Sequence, residues 1–219
     1  MKNTVGLIGY YGSDEIIAQS AWTSTSRDLS EEKRNRIPQL IAKLWQDGHH
    51  TPFEKGIVHF LVTSDIATHI HFLKHRMSSM NAESARYKEL KEDKYYLPCD
   101  WQDIRTTVNP ESSWLEMLDE YTRMGNELYH ACLSDLTSVL GRKRAKESAR
   151  YFKTYNSQIT YDVMFNMRSF FNFQMLRNSE HAQVEIREIA EEMMTMVNNI
   201  ENNPFKNTLE AFNIANYKH

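Results

Sequence analysis

Lys74-His75-Arg76-Met77-Ser78-Ser79-Met80-Asn81-Ala82-Glu83-Ser84-Ala85-Arg86-Tyr87 is the stretch on which the reading of this chain turns. A lysine, an imidazole and a guanidinium stand side by side. Seven residues separate Arg76 from Ser84, and Arg86-Tyr87 follows. Guanidinium forks grip phosphate oxygens in pairs and also stack on flat rings. So dense a set of donors suits an anionic, planar ligand such as a nucleotide.

The surrounding chain bounds what kind of molecule carries this stretch. Its 219 residues suit one domain spanning 1–219, long enough to bury roughly 70% of the unfolded surface. Hydrophobic residues make up 41% and charged residues 25%, the balance of an ordinary globular protein. A net charge of -3 argues against nucleic-acid binding by bulk charge, so any basic function is local. Cys99 and Cys132 have no metal or redox spacing, and free thiols are expected. The first apolar stretch, Val5 to Gly9, is too short for a signal peptide, and no run approaches the ~20 residues of a membrane span. A cytoplasmic protein without a membrane or nucleic-acid partner is the expectation.

Periodicity predicts mixed α and β structure. Val5–Tyr10 reads as a short strand, and Ser13 opens a helix as its N-cap. One helix is expected over Glu31–Gln46, stopping near Gly48. Ile57–Thr63 alternates as a strand, and Asp65 caps a helix leading into the basic stretch. A long helix is predicted over Ser112–Leu140, further helix over Glu147–Phe152, a strand over Ser157–Phe165, and one or two helices over Arg168–Asn198. Neither a linker nor an internal repeat is visible.

Several features have ordinary explanations. Gly6, Gly9 and Gly12 are evenly spaced and do not form a dinucleotide-binding G-x-G-x-x-G. His71 and His75 share a helical face, with His69 nearby, yet no carboxylate or cysteine stands at ligand spacing and Lys74 would repel a cation; no metal is expected. His181 and Glu185 read as a structural hydrogen bond. Arg142–Lys146 reads as a solvated face, and Met193–Met196 as core filling.

Four segments resist such explanations: His49-His50-Thr51-Pro52-Phe53-Glu54, the opening stretch, Glu147-Ser148-Ala149-Arg150, and Asn166-Met167-Arg168-Ser169 continuing through Asn172 to Arg177. Arg168 and Asn172 lie one helical turn apart, whereas Arg177 points elsewhere on a continuous helix. Together the segments resemble the flavin-dependent thymidylate synthases. That family's signature is Arg-His-Arg, seven residues, then Ser, usually continuing to Arg-Tyr. Lys74-His75-Arg76, Ser84 and Arg86-Tyr87 match it except at the first position. His49 with Thr51–Glu54 is similar to the family's His-x-Thr-Pro-Phe-Glu segment, Asn166–Ser169 with Asn172 to its flavin segment, and Leu176-Arg177 with His181-Ala182-Gln183 and Glu185 to its Leu-Arg…His-Ala-Gln-x-Glu block.

The resemblance implies an α+β single domain, with a central, mostly antiparallel sheet flanked by helices and a long helical C-terminal half. It implies FAD as cofactor, held through His49, Thr51, Glu54, Lys74, His75, Arg76, Ala82, Asn166, Arg168 and Asn172. It implies dUMP as substrate, met by His71, Lys74, Ala82, Glu83, Ser84, Ala85, Arg86, Arg150 and Arg177. Arg177 would be catalytic, stabilising negative charge on the uracil ring so that C5 becomes nucleophilic. The implied reaction is reductive methylation of dUMP to dTMP. Methylenetetrahydrofolate would give the carbon and NADPH-reduced FAD the hydride, in a homotetramer with active sites at subunit interfaces. Neither cysteine lies in a cationic motif that would activate a thiolate, so a cysteine route is not expected. Three positions depart from the pattern: Lys74 replaces Arg, Ala82 replaces Gln or Glu, and His71 replaces Gln. They leave open a relative acting on another pyrimidine nucleotide or leaving a hydroxymethyl group at C5. A non-catalytic nucleotide- or RNA-binding protein that kept the fold is the alternative from a different class.

Overall fold

A computed structural model describes residues 1–216. Strand β1 (Thr4–Tyr11) leads into α1 (Asp14–Trp22), α2 (Glu31–Asn35) and α3 (Ile37–Gln46). A 3-10 turn at Thr51–Lys55 precedes β2 (Ile57–Asp65), α4 (Ile66–Phe72) and β3 (Ser78–Ala82). After a loop come α5 (Trp114–Leu140), α6 (Arg142–Ala149), a 3-10 turn at Arg150–Phe152 and β4 (Gln158–Asn166). Helices α7 (Met167–Arg177), α8 (Val184–Asn198) and α9 (Lys206–Asn216) complete the chain. The antiparallel sheet has the order β1-β2-β4-β3, so the fold is α+β as expected.

Most boundaries follow local chemistry. The Ser13 side chain accepts from the Ile16 N–H and starts α1, and Asp65 accepts from the Thr68 N–H at 2.8 Å and starts α4. A capping box opens α5: Ser113 Oγ accepts from Glu116 N–H, while Glu116 Oε2 accepts from Ser113 N–H. The single helix expected over Glu31–Gln46 is two, meeting at Arg36. Pro38 explains the break, because proline tolerates only the first turn of a helix. Strand β3, inside the basic stretch, was not expected, since Ser78-Ser79-Met80-Asn81 contains no β-branched residue. Just beyond its end, Glu83 N–H donates to Thr160 O at 2.9 Å.

The chain divides into two compact units, each assembled from separated segments. The first comprises Met1–Thr4, Thr63–Leu73 and Ala82–Tyr161. In it α5 packs on α6 through Tyr129, Leu133, Ala145 and Ala149. Gly125 lets α5 approach closely: a Cβ there would stand 2.6 Å from the Phe152 carbonyl oxygen. The second unit comprises Val5–Val62, Lys74–Asn81 and the described chain from Asp162 onward. Its core is aromatic. Phe171 and Phe212 stack with centroids 4.2 Å apart, and the Trp45 ring stands edge-on to both and to Phe53. Met193 of α8 is fully buried beneath, as expected for core filling.

Candidate functional site

In the second unit the basic segment Lys74–Met77 and one face of α7 enclose a cavity of about 300 Å³. Asn166 starts α7: its Oδ1 accepts from Ser169 N–H at 2.9 Å, so its side-chain oxygen is committed to the cap. From there Ser169, Asn172, Leu176 and Arg177 line the cavity together with Lys74, His75, Arg76, Met77 and Phe165. Three permanent cations face it, and no carboxylate lines it. Arg177 Nε donates to His75 Nε2 at 3.0 Å, and the His75 ring stands edge-on to Phe173. Lys74 and Arg76 are exposed.

The remaining expected cofactor residues of this unit lie around the 3-10 turn. His49 and Thr51 are exposed beside it, and Glu54 Oε1 accepts from Arg168 Nη1 at 2.7 Å. Arg168 and Asn172 therefore have different tasks despite their shared face: Asn172 lines the cavity, while Arg168 is held by Glu54. Glu54 also lines a second cavity of about 360 Å³ with Tyr11, Arg27 and Lys55. Phe165, Ser169, Met77 and Leu176 were not expected as lining. The signal for Ser169 was its place in the flavin-like segment, whereas the others are apolar residues indistinguishable in sequence from core.

A flat heterocycle with a polar, anionic edge needs an apolar wall and convergent donors. Phe165, Leu176 and Met77 supply the wall, and Lys74, Arg76, Asn172 and Arg177 the donors, while the Ser169 hydroxyl donates to Asn166 O. The residues present thus fit a flavin or a pyrimidine ring.

The first unit gathers the other candidates. Arg86 Nε donates to Glu147 Oε1 at 3.0 Å, and with Arg144 it holds the Glu147 carboxyl below the usual range. Ser84 Oγ accepts from Arg86 N–H at 3.3 Å, which folds the segment into a tight turn. Arg150 is exposed on the 3-10 turn after α6. Ala82 and Ala85 are half-buried. Glu83 is turned inward: Oε2 accepts from Thr160 N–H at 3.0 Å and Oε1 from Lys88 at 2.5 Å. Its carboxylate is thus spent on the chain itself. His71 Nδ1 and His69 Nε2 are buried without a hydrogen-bond partner among the described residues, and burial lowers the His69 pKa. Such a group costs about 1–3 kcal/mol unless a ligand or water meets it. In the second unit Glu185, expected to pair with His181, instead accepts from Gln183 Nε2 at 2.7 Å.

Beside these residues, still in the first unit, lies a cavity of about 650 Å³ whose lining includes Glu83, Lys88, Asp93, Arg142 and Lys153. Asp93 accepts from Lys153 Nζ at 2.6 Å and from His130 Nε2 at 2.9 Å, and Lys153 also donates to Asn126. Burial works to raise the Asp93 pKa, but the bonds from Lys153 and His130 outweigh it and leave it depressed. A depressed carboxylate contributes stability that is present above its unfolded pKa, about 4, and lost as pH falls through the folded value. Asp93→Asn is therefore expected to lower stability at neutral pH by at least about 1 kcal/mol, since Lys153 is only 4% exposed and loses its carboxylate. Urea midpoints across pH check this. The gap to wild type narrows below about pH 4, and a constant gap would refute the assignment.

The fold is shared with a pyrimidine-nucleotide methylase. The UMP/dUMP methylase PolB from Streptomyces cacaoi, bound with 5-Br dUMP, superposes with a TM-score of 0.78 at 26% identity, covering 97% of this chain and 95% of that one. The same protein bound with 5-Br UMP gives 0.76. Residues 6–201 match the family model Thy1, thymidylate synthase complementing protein, and the chain belongs to that family. Its relatives include the flavin-dependent thymidylate synthase of Pseudothermotoga lettingae, 31% identical over 191 residues, which are 86% of this chain and 82% of that protein. The enzyme of the same name from Anaplasma marginale is 27% identical over 205 residues, 90% of this chain and 68% of that protein. Among the described residues no helix is long and apolar enough to cross a membrane, and no group of three His, Cys, Asp or Glu could hold a metal ion.

Proposed function

We propose that this chain is a flavin-dependent thymidylate synthase acting on dUMP. The observation that carries the reading is the carboxylate-free cavity in which Arg177, Asn172, Lys74 and Arg76 converge, in a chain of the Thy1 family. FAD would be held by Lys74, His75, Arg76 and Asn172, with Glu54 and Arg168 fixing the adjoining turn. Bound there, reduced flavin supplies the hydride, while the protein binds, orients and polarises. The carbon comes from methylenetetrahydrofolate and NADPH restores the flavin. Ser84, Arg86 and Arg150 would hold the dUMP phosphate, with His71 Nδ1 as a further polar contact. A homotetramer with shared active sites, working in the cytoplasm, belongs to the same proposal. Cys132 packs against the Tyr129–Leu133 cluster and Cys99 is exposed, which supports a route without a cysteine nucleophile.

One observation favours a second reading, in which UMP is also accepted. PolB holds both 5-Br dUMP and 5-Br UMP, and Ala82 places only a methyl group in the substrate motif.

The test is direct. The purified chain is expected to bind FAD and turn yellow. With dUMP, methylenetetrahydrofolate and NADPH it should yield a nucleotide heavier by one methyl group in place of hydrogen. A chain that takes up no added FAD would sink the reading. A product of any other mass would refute thymidylate synthesis, and methylated UMP would establish the second reading.

A further inference from the structure

We propose that His75 is a positioning residue for Arg177. This rests on the reading above, in which Arg177 meets the uracil edge. An arginine Nε can only donate, so the 3.0 Å contact requires a bare lone pair on His75 Nε2. Imidazolium would present N–H to N–H and repel the guanidinium. Lys74 and Arg76, on the same segment as His75, line the cavity with this pair, and none of the residues lining it is a carboxylate. The ring itself is set by Phe173, whose centroid is 4.9 Å away at an interplanar angle of 75°.

The bond has a geometric consequence. Using Nε to anchor the side chain leaves both terminal nitrogens of Arg177 for a ligand, since they make no hydrogen bond among the described residues. The guanidinium plane is then fixed before the ligand arrives, which spares the ordering of a flexible side chain at binding. His75 thus acts through Arg177, in addition to any direct contact with the cofactor.

The test is a double-mutant comparison with two independent readouts. His75→Ala should lower kcat by about 10- to 100-fold. His75→Gln, whose amide oxygen can accept from Nε, should recover most of that loss. At saturating FAD, the double variant His75→Ala/Arg177→Ala should be no worse than Arg177→Ala alone, because the positioning bond is already lost in each case. In 15N NMR of the flavin-free chain, His75 Nε2 should be unprotonated and its signal should shift in Arg177→Ala. Multiplying losses in the double variant, or a protonated Nε2 in wild type, would overturn the proposal. Wild-type protein without any dUMP turnover would instead overturn the functional reading, and the role of Arg177 with it.

Discussion

Arg177→Ala is expected to lower turnover by about 100- to 1,000-fold or more while leaving flavin bound. The chemistry asks for negative charge on the uracil ring while C5 attacks. A preorganised cation in a cavity without carboxylates stabilises that charge far better than water does. Arg177 is the lining cation held by a neutral partner, His75, so its charge stays available to a ligand. Flavin should remain because Lys74, Arg76 and Asn172 still line the cavity. Arg177→Lys keeps the charge but loses both the planar fork and the Nε donor, so its activity should fall between those of wild type and Arg177→Ala. Measuring kcat, the KM for dUMP and flavin content together decides the matter. Unchanged turnover in Arg177→Ala would show that the arginine is a surface cation only.

How much of this was legible in the residues depends on the kind of signal. Ser13 and Asp65 announce helix starts because each cap is satisfied within three residues. Alternation in Ile57–Thr63 announces β2 for the same local reason. The split at Arg36 is equally local, carried by Pro38, but the apolar positions Ile37, Leu40, Ile41 and Leu44 keep one helical spacing across that proline. Strand β3 is different. Nothing in Ser78–Asn81 favours a strand, and the sheet that holds it is formed with distant residues.

The site divides in the same way. The basic residues stood out because charge beside apolar sequence is conspicuous, and each of the four motif segments carries a residue that lines a cavity or makes a bond to a distant part of the chain. Geometry then separated residues that spacing had grouped. Arg168 and Asn172 share a helical face, yet Glu54 holds one and the cavity takes the other. Glu83 sits in the substrate motif, but its carboxylate serves Thr160 and Lys88. The His75–Arg177 bond joins residues 102 positions apart, a pairing no spacing rule contains.

Asp14→Ala is expected to destabilise the chain by about 3 kcal/mol, lowering the unfolding midpoint by roughly 6–12 °C. Asp14 reads in sequence as one more acidic residue at the start of α1. In the fold Asp14 is 8% exposed, and its carboxylate accepts four hydrogen bonds: from the N–H and Nδ2 of Asn207 and from the N–H and Oγ1 of Thr208. It thereby caps α9 from across the chain, satisfying N–H groups in that helix's first turn that have no intrahelical partner. Asp14 N–H also donates to Pro204 O at 2.7 Å. Removing the carboxylate strands the donors of a buried threonine and a half-buried asparagine. The strain would not stay at α9. Phe212 on that helix stacks on Phe171 of α7, the helix that carries Asn172 and Arg177. A loosened α9 should therefore weaken flavin retention before global unfolding, so flavin release on heating should precede loss of helical signal in Asp14→Ala and coincide with it in wild type. Asp14→Asn keeps one acceptor oxygen and should fall between the two. A midpoint for Asp14→Ala within about 2 °C of wild type would mean that the four bonds contribute nothing net, and that aromatic packing alone holds α9 in place.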